Sequence, residues 1–261
     1  MITQKTYTMK YKIFAFLLAA CSTLKADAQQ FITKGNIEFE VITNVKKTMG
    51  NSYWAEQWKD LMPTFKTAYY NFTFADNKSI YKFAHYDEKK AKLPEFLSRG
   101  EDENEWYNDF TTGQTFIQKN MFGTLLNLKD SVTPIQWRIT NESRLIAGFN
   151  CRKAVGKILD SVYVFAFYTD EIPISGGPCT INGLPGMILG VTIPRLYASM
   201  IATKISLVSG KENLIKPISA KKYYTAKQLK AILDEKIKGF GSDQDEESKS
   251  WINQMYWNTL L

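Results

Sequence analysis

Nine strand-like stretches follow one another along this chain with almost nothing helical between them, and that order restricts the fold more than any other feature. Residues 36–45 alternate cleanly, with Ile37, Phe39, Val41 and Val45 on one side and Asn36, Glu38, Glu40 and Asn44 on the other. Residues 66–75 repeat the pattern with Ala68, Tyr70, Phe72 and Phe74 against Tyr69, Asn71 and Thr73. The turn-forming run Asp76-Asn77-Lys78 then leads into residues 79–85, which predicts a hairpin. Further stretches lie at 114–118, 135–140 (Ile135, Trp137 and Ile139 on one side), 144–155, 161–169, 187–193 and 196–207. The run SVYVFAFYT at 161–169 is apolar on both sides, as a central strand should be. Strands joined without crossover helices pair antiparallel, which excludes a βαβ architecture.

Three segments carry a helical period instead. Trp54, Trp58 and Leu61 recur at helical spacing until Pro63 stops them, giving a short helix near residues 52–62. Thr225-Ala226-Lys227-Gln228 has the form of a capping box, after which Leu229, Ile232, Leu233, Ile237 and Phe240 make an apolar stripe ended by Gly239 and Gly241. Ser242 opens another start, with Asp243, Asp245, Glu246 and Glu247 where a helix dipole favours negative charge, followed by Ile252, Met255, Tyr256, Thr259 and Leu260. The expected fold class is therefore α+β. It consists of a curved antiparallel sheet of about 8–10 strands, the short helix, and two C-terminal helices packed on the sheet. With no Ser/Gly/Pro linker and no internal repeat, residues 29–261 are expected to form a single domain.

The first 28 residues read differently. Lys10-Tyr11-Lys12 precedes the apolar run from Ile13 to Leu24, and Ala26-Asp27-Ala28 offers small residues for cleavage after Ala28, the pattern of a secretory signal peptide. Leu18-Ala19-Ala20-Cys21 is the competing feature, a lipobox in which Cys21 would be lipidated, although the apolar run continues past it to Leu24. Translation from Met9 instead of Met1 gives a leader of more usual length. The run is shorter than the roughly 20 residues that cross a bilayer, and no later segment comes closer, so no transmembrane span is expected in the mature chain. Either processing route places the protein outside the cytoplasm: in the periplasm, at the outer membrane or outside the cell.

Cleavage after Ala28 leaves Cys151 and Cys179, an even pair in a compartment where disulfides persist. One bridge between them is the expectation, with two buried thiols packing as small hydrophobes as the other reading. His85 is the only histidine, too few for a structural zinc site. The formal charge is +7, but four lysines (Lys5, Lys10, Lys12 and Lys25) sit in the leader and the remaining pairs are scattered, so no basic stripe for nucleic acid is visible. A composition of 44% hydrophobic, 14% aromatic and 23% charged residues excludes a disordered chain.

Residues 172–194, IPISGGPCTINGLPGMILGVTIP, hold five of the fifteen glycines and four of the eight prolines. Such density signals special backbone torsions and not a side-chain reaction centre. In Leu184-Pro185-Gly186 the proline suits turn position i+1 and the glycine the positive φ of a type II turn at i+2. A phosphate cradle is rejected, because neither Gly-Lys-Ser/Thr nor a G-x-G-x-x-G before a helix is present.

Gly183-Leu184-Pro185-Gly186-Met187-Ile188-Leu189 resembles the signature of the GLPGLI family of secreted proteins from Bacteroidota, with Met187 in place of leucine. Residues 147–154, the aromatic strand into Tyr168 to Pro173, and the run Gly176-Gly177-Pro178 resemble the same family in the same order. The resemblance implies export and a β-rich domain, and it assigns no activity.

Catalytic chemistry finds few candidates. His85 sits at a strand end among aromatic residues, Asp170 and Glu171 are neighbours that point to opposite sides of an extended chain, and Glu101 to Glu105 lacks the Asp-x-Asp-x-Asp-Gly spacing of a calcium loop. No catalytic residue, metal site or cofactor is expected. The leading expectation is an exported, non-catalytic binding or accessory protein that takes a lipid, a peptide or an outer-membrane protein in an apolar cavity between sheet and helices. Two alternatives stand beside it. One is an exported hydrolase using Asp170, Glu171 and His85, and the other is a structural component of an outer-membrane assembly.

Overall fold

The computed structural model describes residues 32–238 apart from 51–52, 88, 91–93, 95–99, 122, 160, 208–209 and 211, together with 253, 254 and 257. Eleven strands are present: β1 Lys34–Asn44, β2 Phe65–Ala75, β3 Lys78–Tyr86, β4 Glu105–Asp109, β5 Gln114–Met121, β6 Thr124–Ser131, β7 Arg138–Ile146, β8 Phe149–Ile158, β9 Val162–Thr169, β10 Met187–Ile193 and β11 Ala198–Ser206. They form one sheet in the order β6-β5-β4-β3-β2-β1-β11-β10-β9-β8-β7. Every pairing in it is antiparallel. The first strand lies in the interior of the sheet, held by β2 on one side and by the last strand, β11, on the other.

The expected hairpin forms as β2 and β3, with Asp76 and Asn77 both at positive φ (51° and 58°), the conformation that matches strand twist. The expected stretch at 144–155 is divided by Ala147 (φ 48°) and Gly148 (φ 89°) into a second hairpin, β7–β8. The ladder of β7 is interrupted between Ile139 and Ser143.

The α+β expectation is corrected. Strands dominate, and β4 and β6 add to those expected: β4 is only five residues long, and β6 is an edge strand with one buried residue, Leu128, so neither alternates over enough residues to be noticed. Three α-helices of a full turn or more lie among the described residues, α1 Val45–Thr48, α2 Tyr53–Lys59 and α3 Ala226–Lys238. Only α3 belongs to the C-terminal part, and it does not lie across the sheet. Leu229 enters the core beside β6, and Tyr224, just before the helix, makes a parallel bridge to Leu128. The capping box does form, Thr225 Oγ1 accepting from the Gln228 amide (3.2 Å) and Gln228 Oε1 from the Thr225 amide (2.9 Å). Asp130 Oδ2 accepts a third bond from Ala226 N (2.9 Å), tying the helix start to the sheet edge. Of the second expected helix, Asn253, Gln254 and Trp257 are helical and the rest lies outside the described residues, as do the expected signal peptide, Ala28 and Cys21.

What occupies the place expected for the helices is the Gly/Pro segment. Ile172, Ile174 and Cys179 pack in one cluster with Phe39, Phe72, Phe74 and Tyr81 of β1–β3. Ile181 and Leu184 pack in a second with Val164, Ala166 and Ile188 of β9 and β10. One connection thus joins both apolar clusters. Loops seldom bury so much backbone, because their peptide groups lose water.

Candidate functional site

The buried connection satisfies its own backbone by short-range turns. Ile174 N donates to Ile172 O, Gly176 N to Ile174 O and Gly186 N to Leu184 O, each at 2.8 Å and each closing a three-residue turn. The middle residues of the outer two are Pro173 and Pro185, whose fixed φ suits that geometry. The turn at Leu184-Pro185-Gly186 is accordingly tighter than the expected type II, while the positive φ at Gly186 (148°) is as expected. Met187 N to Ile172 O (2.9 Å) and Ile188 N to Gly176 O (2.8 Å) fasten the segment to the start of β10. Two glycines are there for space. A Cβ on Gly186 would lie 2.1 Å from Thr169 O, and one on Gly177 would lie 2.7 Å from Ile181 O.

Side chains from both halves of the sheet then grip the segment. Asn108 of β4, 1% exposed, donates to Cys179 O (3.2 Å) and accepts from Thr115 Oγ1 (2.9 Å). Trp137, on the connection between β6 and β7, donates from Nε1 to Asn182 O (2.8 Å). Its ring lies against Gly156 of β8, where a Cβ would meet it at 2.8 Å.

Between these grips a cleft of about 410 Å³ opens. Its polar lining includes Asn108, Thr115, Gln136, Thr180 and Asn182, and its apolar walls include Ile117, Leu128, Ile135, Ile158 and Ile181. Asp130 and Lys157 are the charged residues of its lining. Sequence reasoning missed this site. Its residues come from β4, β5, β6, β8, a connection and the Gly/Pro segment, and the one local sign was a polar Asn108 directly after Trp106 and Tyr107.

The residues singled out from sequence are placed as follows. Gly176, Gly177 and Pro178 are buried, Gly183 and Pro185 are exposed, and Leu184 and Gly186 are buried. Cys151 and Cys179 are free thiols, both buried in the same apolar cluster, and no bridge joins them. Burial raises Cys151 to about 11 against the pull of Arg144, and raises Cys179 to about 12 against that of Lys119. Lys119 in turn is half-buried, its Nζ 5.4 Å from the centre of the Trp106 ring, and desolvation lowers it to about 8 although Cys179 and Glu101 favour its charge. Burial also pushes the Tyr70 and Tyr81 hydroxyls well above the usual tyrosine range.

His85 is stacked on Tyr69 (4.7 Å between ring centres) near the C-terminal end of β3, whereas Asp170 and Glu171 follow the C-terminus of β9. Strands β2, β1, β11 and β10 separate β3 from β9, so the two positions are five strand spacings apart across the sheet, about 24 Å at about 4.8 Å each. The structure does not bring these three together, and none of them lines the cleft. In the acidic run, Glu101 accepts from Lys66 and from the Tyr86 hydroxyl, Glu103 from Asn120, and Glu105 pairs with Lys82 at 2.5 Å.

Residues 156–190 match the model of a family described as a protein of unknown function (Porph_ging). No curated protein matches the chain. Among solved structures it is similar to two of PNGF-II. One, in space group C2, has a TM-score of 0.49 and 14% identity, with 76% of this chain and 32% of that chain covered. The other, in P21, has the same score and identity over 77% and 33%. The chain spans about a third of the length of those proteins.

Proposed function

We propose that the chain is an exported, envelope-associated binding protein of the GLPGLI type, and that it holds a short peptide with aliphatic side chains in the cleft beside the Gly/Pro segment. The observation that carries this reading is the lining. Amides and hydroxyls of Asn108, Thr115, Gln136, Thr180 and Asn182 share the lining with isoleucine and leucine side chains around a space of about 410 Å³. A peptide offers donors, acceptors and branched side chains to match both. Asn108, Thr115 and Asn182 already bond within the protein, so Gln136 and Thr180 are the groups that a peptide would engage and an acyl chain would desolvate, at a cost of about 1–3 kcal/mol each. The family match over residues 156–190 covers β9 and the segment that builds one wall, and the leader with its Ala28 cleavage site supports export.

The test has two readouts. Expressed with its own leader in a Gram-negative host, the chain should be recovered from the envelope fraction beginning at Gln29, or at a lipidated Cys21. Native mass spectrometry with a mixture of synthetic tri- and tetrapeptides rich in Val, Leu and Ile should show a one-to-one adduct. The exposed lining residue Thr133, replaced in Thr133→Trp, should block that adduct without lowering the melting temperature. An untrimmed chain confined to the cytosol refutes export, and a peptide adduct that persists in Thr133→Trp refutes the cleft as its site.

A further inference from the structure

The short helix near the β1–β2 connection leaves apolar residues of its pattern in solvent. Trp58 and Leu61 belong to the apolar stripe that would ordinarily face a core. Among the described side chains of the helix and the turn after it, the small Ala55 and Met62 are the buried ones, and Trp58 and Leu61 stay 48% and 70% exposed. Phe65 at the start of β2 is 53% exposed and Tyr197 before β11 is 41% exposed.

The sheet brings these segments to one end. Asn44, the last residue of β1, pairs with Phe65 and donates its amide to Tyr197 O (2.9 Å), while Val45 N donates to Thr64 O (3.0 Å). Cations accompany the rings. Lys47 Nζ lies 5.6 Å from the centre of the Tyr197 ring, Lys46 is its neighbour on α1, and Arg195, two residues before Tyr197, is exposed with its guanidinium 5.1 Å from the centre of the Trp257 ring. Glu56 is taken up by Lys59 at 2.5 Å, which leaves Asp60 as the acid of the α2 region.

We propose that this end of the molecule docks on an anionic lipid surface. Trp58, Leu61, Phe65 and Tyr197 enter the headgroup region while Lys46, Lys47 and Arg195 stay level with the phosphates. Two features favour a bilayer over a protein partner. The four side chains expose on the order of a few hundred Å², below the roughly 800 Å² that each partner of a stable protein–protein interface buries. Tryptophan, tyrosine and lysine together also suit the boundary itself, where a ring sits at headgroup depth and an ammonium reaches the lipid phosphate. This inference does not depend on the cleft being occupied.

Co-sedimentation with large vesicles tests it, using phosphatidylcholine alone and phosphatidylcholine containing about a third phosphatidylglycerol. Whatever N-terminus export leaves is common to every sample, so differences between variants report on the tip. The unaltered chain should sediment with the anionic vesicles and about tenfold less with the neutral ones. The triple variant W58S/L61S/F65S should lose binding by about tenfold or more, and K46E/K47E should lose it on anionic vesicles only. Leu61→Asp, a single change at the most exposed position, serves if the triple variant melts early. Three results overturn the proposal: no sedimentation of the unaltered chain, binding that all variants retain, or a dimer in sedimentation velocity that Leu61→Asp dissolves.

Discussion

Gly186 and Gly148 both have positive φ, yet they answer different demands. Gly148 sits at an open turn with nothing within 4 Å of a built Cβ, whereas at Gly186 that carbon would overlap Thr169 O. Gly148→Ala should therefore cost about 1 kcal/mol, the ordinary left-handed penalty. Gly186→Ala should cost about 4 kcal/mol, because β9 must move off the turn as well. Urea unfolding of the two variants beside the parent measures both, and equal losses would contradict the steric account. This difference could not be read from the sequence, which marks glycines by density but does not show which of them has a backbone pressed against it. The same holds for the bonds from Asn108 to Cys179 O and from Trp137 to Asn182 O, which span 71 and 45 positions of the chain.

At the scale of elements, the alternation of β1, β2 and β3 and the capping box of α3 were legible because each depends on a few neighbouring residues. The failure lay in where α3 goes. A helix packs on whatever apolar surface is uncovered, and here the Gly/Pro connection had already filled the position between the strands with Ile172, Ile174 and Cys179. The helix is left with Leu229 and the β6 edge. Thr225→Ala, which removes one bond of the capping box, should destabilise the helix by about 1 kcal/mol. Because α3 hangs from one edge, hydrogen exchange should quicken in α3 and β6 and stay unchanged in β1, β2 and β11. Uniform quickening across the sheet would show that the helix unfolds only with the whole.

For the molecule as a whole, the perturbed groups set a pH profile. Lys119, near 8 when folded and about 10.5 when unfolded, loses its proton earlier in the folded chain, so stability gains from it as pH climbs between those values. Cys151 and Cys179 act in the opposite sense. They keep their protons to about 11 and about 12, past the value near 9 where unfolded thiols ionise, and their contribution is complete below that value and lost above it. Tyr70 and Tyr81 begin to act the same way above about 10. Two thiols and two phenols outweigh one amine, so urea midpoints should peak at about pH 8–9 and fall steeply above about 10. A midpoint at about pH 10.5 equal to that at about pH 8.5 would contradict this burial pattern.

The pairing of β1 with β11 joins Asn36 to Ser206, in strands that are neighbours in the sheet but first and last along the described chain. A ribosome delivers β1 early and β11 late, so throughout elongation one flank of β1 has no neighbour, and a bare flank invites pairing with other chains. Completion of the sheet thus waits on almost the whole polypeptide, a slow, non-local closure. A nascent chain with this topology keeps its sheet open until β11 has emerged, which is the state that the export proposed above would require.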